Sequence, residues 1–223
     1  MNKNKAIVLV SGGMDSCVTT AKAIDDNYEL ALLHINYGQR TEKRELQAFN
    51  DIANFYQIKN RMVSDITHLS NIGGSCLTDK TIDVPNAKLN DTNIPISYVP
   101  FRNANILAIA VSWGEIIHAN TIFVGAVEED SSGYPDCRRS FFDAFEKVII
   151  EGAKPDTNIS ITTPLINLSK KEIILLGGKL NAPLGLTWSC YKQEDKPCET
   201  CDSCVLRARG FLQAKIKDPI INF

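Results

Sequence analysis

The chain has 223 residues, 44 % of them hydrophobic and 22 % charged, the makeup of an ordinary folded protein and not of a disordered or fibrous one. One large or two small domains fit that length, and folding can bury roughly 70 % of the unfolded surface. The net charge of −2, from 24 basic and 26 acidic residues, argues against a nucleic-acid partner, and the basic run RTEKRE at 40–45 carries Glu42 and Glu45 within it.

No apolar stretch nears the roughly 18 residues of a membrane span. The apolar run after MNKNK is too short for a signal peptide and has no small-residue cleavage site, so no membrane partner is expected and a cytoplasmic protein is.

Residues 6–10 (AIVLV) are apolar and β-branched at Ile7, Val8 and Val10, the pattern of a buried parallel strand. Ser11, Gly12 and Gly13 break it, and an amphipathic helix opens at Asp15 and Ser16 and runs through Ala21 and Ile24. Paired glycines let the backbone turn sharply. The free N–H groups and dipole of the new helix then favour an anion in the loop, with hydroxyl donors from Ser11 and Ser16. No Lys follows Gly13, so this is not the GxxxxGK[ST] cradle. A plain strand-to-helix turn with Asp15 or Ser16 as its cap is the other reading.

Residues 29–37 (ELALLHINY) read as a second buried strand, with His34 as a hydrogen-bonded core histidine. Residues 40–56 read as a helix, with Leu46, Phe49, Ile52, Ala53 and Tyr56 at helical spacing, and residues 60–66 as a third strand. Such alternation predicts a doubly wound α/β sheet that binds ligands at the carboxyl ends of its strands. Residues 67–100, rich in Gly, Pro and Asn, lack a period and read as a substrate-side loop or lid. Residues 102–119 form a helix apolar nearly all round, expected to be buried. A fourth strand at 121–126 and a helix at 138–152 follow, the latter with Phe141, Phe142, Phe145, Val148 and Ile149 on its apolar side. A fifth strand spans 159–165, and Ser169 caps a helix to 176. One α/β domain therefore fits residues 1–180, with a cysteine-rich segment at 181–223 packed on it.

Four of the seven cysteines, Cys190, Cys198, Cys201 and Cys204, read C-x7-C-x2-C-x2-C. Four thiolates complete the tetrahedron that zinc prefers, and an odd cysteine total argues against a disulfide framework. An iron–sulfur cluster and a redox or persulfide-carrying CxxC remain as other readings. Cys17, on the first helix, reads as a small core residue.

SGGMDS at 11–16 resembles the SGGxDS signature of the PP-loop ATP pyrophosphatases, which cleave ATP between its α- and β-phosphates. With NYGQR at 36–40, YVPFRN at 98–103, SGYPDCR at 132–138, TPL at 163–165 and the tail from Thr187 to Phe211, the chain resembles the QueC family of 7-cyano-7-deazaguanine synthases over nearly its whole length. The resemblance implies a mostly parallel sheet of the adenine nucleotide α-hydrolase type, a zinc-binding tail with four cysteine ligands, and a homodimer. It also implies an ATP-dependent ligase of queuosine precursor synthesis, joining ammonia to 7-carboxy-7-deazaguanine through an acyl-adenylate and an amide to give the nitrile. Small molecules are then the partners, with Mg2+ at the phosphates.

By position, Val10, Ser11, Gly12, Gly13, Met14, Asp15, Ser16 and Cys17 would hold the nucleotide, with Asp15 at Mg2+ or capping the helix. Arg102 and Asn103 open a helix at the strand-end face; Arg102 suits a carboxylate or phosphate, its other reading being a surface arginine. Asp136 would accept from the guanine-like edge with Tyr134 on the ring and Arg138 alongside, although GYPD is also a good turn sequence. Asp15, Ser16, Arg102 and Asp136 are thus the catalytic candidates, and zinc on the four cysteines is structural.

The chain departs from the family pattern at Phe101, where glycine is common, and at VEEDSSGY, where Glu128, Glu129 and Ser131 could bind Mg2+ or reshape the substrate pocket. A different carboxylate or deazapurine acceptor, a tRNA thiolase and a nucleotide-binding module without turnover are the competing functions.

Overall fold

Short runs of β-branched and aliphatic residues pair into a parallel sheet, since both of its faces are covered by helices. The computed structural model describes residues 4–88, 93–128 and 133–221. Among them the strands are β1 (Lys5–Leu9), β2 (Glu29–Asn36), β3 (Arg61–Asp65), β4 (Thr121–Phe123) and β5 (Ser160–Thr162), in the order β3-β2-β1-β4-β5, every pairing parallel. Val8 pairs with Leu32 on one side and Phe123 on the other, which makes β1 the centre. The chain winds one way from β1 to β3 and the other way from β4, so the order reverses beside β1 and opens a crevice at the carboxyl ends there.

The helices are α1 (Met14–Asp25), α2 (Glu42–Phe55), α3 (His68–Ile72), α4 (Arg102–Ile117), α5 (Arg139–Gly152), α6 (Lys170–Lys179) and α7 (Asp202–Ala214), with single 3-10 turns at Pro135–Cys137 and Leu184–Leu186. The alternation of side chains along β1 sends Ile7 to a core with Leu33, Leu107, Ile122 and Phe142, and Val8 to one with Cys17, Leu32, Phe49, Ile52 and Phe123. Cys17 is fully buried, and burial pushes its thiol up to about 12. His34 is a core residue: Nδ1 lies 2.8 Å from the Val10 carbonyl oxygen and the ring stacks on Phe49. Ser169 and Glu172 form a reciprocal capping box that starts α6, which runs three residues beyond its expected end.

Three expectations need correction. The helix α4 buries only Ala104, Leu107, Ala110 and Gly114, leaving Ile116 69 % exposed, because a helix on the outside of a sheet covers just one stripe. On α5, Phe142 and Ile149 are buried but Val148 is 60 % and Ile150 75 % exposed. The 67–100 stretch contains α3 and is pinned over much of its length. Arg40 donates to the carbonyl oxygens of Cys76 (2.6 Å), Asp79 (2.9 Å) and Ile82 (2.7 Å), and Cys76 is fully buried. A free lid does not fit that packing.

The last two helices meet backbone to backbone. A Cβ built on Gly210 of α7 would stand 2.8 Å from Cβ of Lys170 and 2.9 Å from Cδ1 of Ile174, both on α6. The first of those atoms belongs to the helix framework and cannot swing aside. Gly210→Ala gains helix propensity yet is expected to destabilise by about 1–3 kcal/mol, read from urea unfolding. A neutral or stabilising result would show that the helices can part freely.

Candidate active site

A cavity of about 310 Å³ opens at the carboxyl ends of β1, β2 and β4, at the reversal of strand order. Its floor is the loop after β1. Gly13, not Asp15 or Ser16, is the N-cap of α1, and no side chain caps it, so the first-turn N–H groups lie open to an acceptor in the loop. Ser16 Oγ donates to the Gly13 carbonyl (2.9 Å) and Ser11 Oγ accepts from the Gly13 N–H (3.2 Å), which fixes the loop's shape. Gly12 sits at φ +89°, and a Cβ there would meet the Glu45 carbonyl oxygen at 2.5 Å. Gly125, after β4, passes close to the first turn of α1: its Cβ would come within 3.0 Å of the Ser16 nitrogen.

Of the predicted nucleotide residues, Val10, Ser11, Gly13, Met14, Asp15 and Ser16 line this cavity. Gly12 faces α2 and Cys17 the core, so both hold the loop from behind. Asp15 is paired through Oδ2 with Lys170 Nζ at 2.7 Å, while Oδ1 is buried without a hydrogen-bond partner. An orphaned carboxylate oxygen on the floor of an anion cradle fits a divalent cation held next to phosphate.

The opposite wall carries Arg102, Asn103 and Tyr134. Arg102 is not a surface arginine: Nη1 donates to Tyr37 Oη at 3.0 Å, and the guanidinium lies 4.9 Å from the Tyr37 ring centroid. Tyr134 is buried and its hydroxyl donates to Ser97 Oγ at 2.8 Å. Asp136 is absent from the cavity wall among the described residues. Its Oδ2 accepts from the Asn103 N–H (2.9 Å) and its carbonyl oxygen from Asn103 Nδ2 (2.8 Å), so it aligns the first turn of α4. Burial pushes the Asp136 carboxyl above the usual range, against the pull of the Asn103 N–H and of Arg102. Arg138 is exposed at the start of α5 and also lies off the wall; its neighbour Arg139 bonds Asp143 and Thr163. Phe101 neither stacks in the cavity nor fills the core, being 62 % exposed and edge-on to Phe141. Glu128 Oε2 accepts from the Arg139 N–H, whereas Glu129, Asp130 and Ser131 lie outside the described residues.

Residues that sequence reasoning did not assign complete the wall, among them Tyr37, Glu45, Lys170, Trp188, Tyr191 and Arg207. One carried a signal. Lys170 is the first residue of α6, where the helix dipole disfavours a cation, and such a placement asks for a nearby anion.

The four tail cysteines converge, their Sγ atoms all within 4.8 Å of one another and Cys198 and Cys204 at 3.9 Å. A tetrahedral zinc with bonds of ~2.3 Å places its sulfurs about 3.8 Å apart. Cys190 Sγ also accepts from the N–H groups of Lys192, Gln193 and Cys198 at 3.3–3.4 Å, as metal-bound thiolates do. Hydrogen bonds from Cys201 and Cys204 hold the Cys190 thiol well below the usual thiol range. The donor set is closed and fits a structural zinc.

Comparison with known proteins agrees with this picture. Two solved structures share the fold: a 4-thiouridine synthetase in complex with RNA and ATP (TM-score 0.53, 14 % identity, covering 95 % of this chain and 50 % of that one) and the NMN synthetase of Francisella tularensis (TM-score 0.50, 13 % identity, 96 % and 88 %). In sequence, the chain is 60 % identical to the 7-cyano-7-deazaguanine synthase of Chloroherpeton thalassium over 97 % of its length and 96 % of the relative's. It is 55 % identical to that of Chlorobium limicola over the same shares. The family described as queuosine biosynthesis protein QueC matches residues 5–215, and the chain belongs to that family.

Proposed function

We propose that this chain is the ATP-dependent ligase that turns 7-carboxy-7-deazaguanine and ammonia into 7-cyano-7-deazaguanine, the product that the names of its relatives carry. The observation that carries the reading is one cavity with an anion cradle on its floor and a fixed guanidinium on its wall. A carboxylate oxygen is a poor leaving group and AMP a good one. The substrate carboxylate attacks the α-phosphorus, pyrophosphate leaves, and an acyl-adenylate forms. Ammonia displaces AMP to give the amide. Adenylation of the amide oxygen by a second ATP, followed by loss of AMP and a proton, leaves the nitrile.

The N–H groups of Met14, Asp15 and Ser16 and the hydroxyls of Ser11 and Ser16 would receive the phosphates, with Lys170 beside them. Mg2+ on the free Asp15 oxygen would neutralise charge gathering on the departing pyrophosphate. Arg102 would orient the substrate carboxylate, and Asn103 and Tyr134 the ring, with Asp136 holding Asn103 in place from behind. Zinc on the four cysteines would be structural, since four thiolates leave no open position.

The test is mass spectrometry of products from the zinc-loaded protein with 7-carboxy-7-deazaguanine, ammonium, Mg2+ and ATP. Nitrile, AMP and pyrophosphate are expected. An amide that never dehydrates would limit the activity to the first half, and no AMP at all would overturn the assignment.

A homodimer in the cytoplasm completes the proposal. The apolar side chains left exposed on α4 and α5 support a second copy as their cover, and among the described residues no helix is long and apolar enough to cross a membrane. Sedimentation of the purified protein reads the first point directly.

A further inference from the structure

The nitrogen donor needs a place in the cavity and a base. At neutral pH ammonia is mostly ammonium, which has no lone pair to offer until it loses a proton. Among the described residues lining the cavity, the carboxylates are Asp15 and Glu45. Asp15 is committed to Lys170 at 2.7 Å. Glu45 has no Lys, Arg or His nitrogen within ion-pair distance among the described residues, and its two oxygens take hydrogen bonds only from neutral groups. Thr41 Oγ1 donates to Oε1 at 2.7 Å and Gln39 Nε2 to Oε2 at 3.2 Å. Gln39 is itself held, its Oε1 accepting the Tyr37 N–H at 2.9 Å. The carboxylate is therefore aimed, yet each oxygen keeps an acceptor position for a further donor.

Resting on the function proposed above, we propose that Glu45 is the ammonium site of the cavity and the base that frees its nitrogen. Ammonium gives one proton to the carboxylate, and the released lone pair attacks the acyl-adenylate carbonyl. The bond from carbon to the AMP oxygen breaks with its electron pair on AMP. The attacking nitrogen sheds a second proton to the same carboxylate after solvent has taken the first, so acyl-adenylate and ammonium give amide, AMP and two protons.

The surroundings suit that task. Burial pushes the Glu45 carboxyl up to about 7, opposed by the hydrogen bonds from Thr41 and Gln39 and by the Arg102 charge, and aided by Glu42 one turn earlier. Tyr37 also faces it from the end of β2; burial raises that phenol, which stays protonated. Arg102 would be matched by the substrate carboxylate and, once that is adenylated, by the phosphate of the acyl-adenylate, so the net field at Glu45 would still favour a small cation. A base poised near the working pH combines sufficient ionisation with sufficient strength.

The test uses Glu45→Gln, which keeps the side chain's shape and one acceptor oxygen. Exchange of labelled pyrophosphate into ATP, driven by 7-carboxy-7-deazaguanine, reads adenylation without any nitrogen donor. Product formation from ammonium over a pH series reads the whole reaction. In the unaltered protein the rate should fall as pH drops through about 7, because protonated Glu45 cannot accept a proton. Glu45→Gln should lower ammonium-dependent product about 100-fold near neutral pH and remove the break near 7, its residual rate still climbing at higher pH with the free-ammonia fraction, and exchange should be reduced less than about threefold. Hydroxylamine, already a free base at neutral pH, should restore turnover as the hydroxamate, and Glu45→Asp should keep the acid limb. The inference is overturned if Glu45→Gln keeps the break near 7 and the rate, or loses exchange as fully as product formation. Absence of exchange in the unaltered protein would instead overturn the function proposed above, and this inference with it.

Discussion

Asp218→Ala is expected to destabilise the protein by about 3–5 kcal/mol, measured as the shift in urea unfolding, although Asp218 follows the last helix and belongs to no regular element. Its carboxylate grips the Arg207 guanidinium twice, Oδ2 to Nε at 2.7 Å and Oδ1 to Nη2 at 2.9 Å, with the two side chains only 3 % and 5 % exposed. Arg207 also donates to Thr187 Oγ1 (2.7 Å), Ser189 Oγ (3.3 Å) and the Leu184 carbonyl oxygen (3.2 Å), and its guanidinium lies against the Phe211 ring. Those acceptors are neutral. Removing the carboxylate leaves a full positive charge out of water with no counter-charge, and that penalty exceeds the worth of the hydrogen bonds themselves.

The double variant Arg207→Met/Asp218→Leu separates the two contributions. Without either charge the penalty disappears, so much of the stability lost in Asp218→Ala should return. Activity should not return with it, because Arg207 lines the cavity as well. A loss under about 1 kcal/mol in Asp218→Ala would mean that water or another anion reaches the guanidinium, and the pair would then be a surface contact in effect.

The elements around the first strand were legible because fully buried parallel strands are written as continuous apolar runs, and AIVLV and ELALLHI are such runs. The loop was legible for a related reason: Gly12 must adopt φ +89° against the Glu45 carbonyl oxygen, and only glycine does so without strain. Exposure on α4 was not legible. Its apolar residues surround the helix, and composition alone does not say which stripe meets the sheet; Ala110 is buried while Ile116 is open.

The site was legible where one local stretch builds it and obscure where distant stretches meet. Asp15 and Lys170 are 155 residues apart in sequence and 2.7 Å apart in space. Glu45 reads in sequence as the neutralising partner of a basic run, whereas the fold turns it into the cavity away from Lys43 and Arg44. Asp136 carried the appearance of a ligand residue because it stands in SGYPDCR, one of the stretches that carry the family resemblance. Its observed partner is the backbone of Asn103, a role that no local pattern announces.

Stripping the metal from the four cysteines is expected to abolish activity although none of the four lines the cavity. Structural zinc in small zinc peptides is linked to ~10–16 kcal/mol of folding free energy. Here a metal on the four cysteines would help hold the cavity floor: the Trp188 N–H donates to the Gly12 carbonyl oxygen at 2.9 Å, and Arg44 stacks over the Trp188 ring. The Thr200 carbonyl oxygen accepts the Ala87 N–H at 2.8 Å, and Asp202 Oδ1 the Lys88 N–H, so the same segment also anchors the stretch before α4. Without a metal nothing ties the four converging sulfurs together, the segment from Trp188 to Cys204 opens, and Gly12 loses its only partner from the tail among the described residues. Chelator treatment should therefore release one zinc per chain, raise hydrogen exchange at 187–204 and around Gly12, and remove adenylation together with nitrile formation. Cys201→Ala should reproduce all three. Release of iron and sulfide in place of zinc would favour a cluster at the same four sulfurs, and loss of metal with exchange unchanged at 187–204 would sink the structural role. Adenylation is the informative readout, since it needs the floor but not the nitrogen donor: a metal that acted only on ammonia would spare it, and one that holds Gly12 through Trp188 cannot.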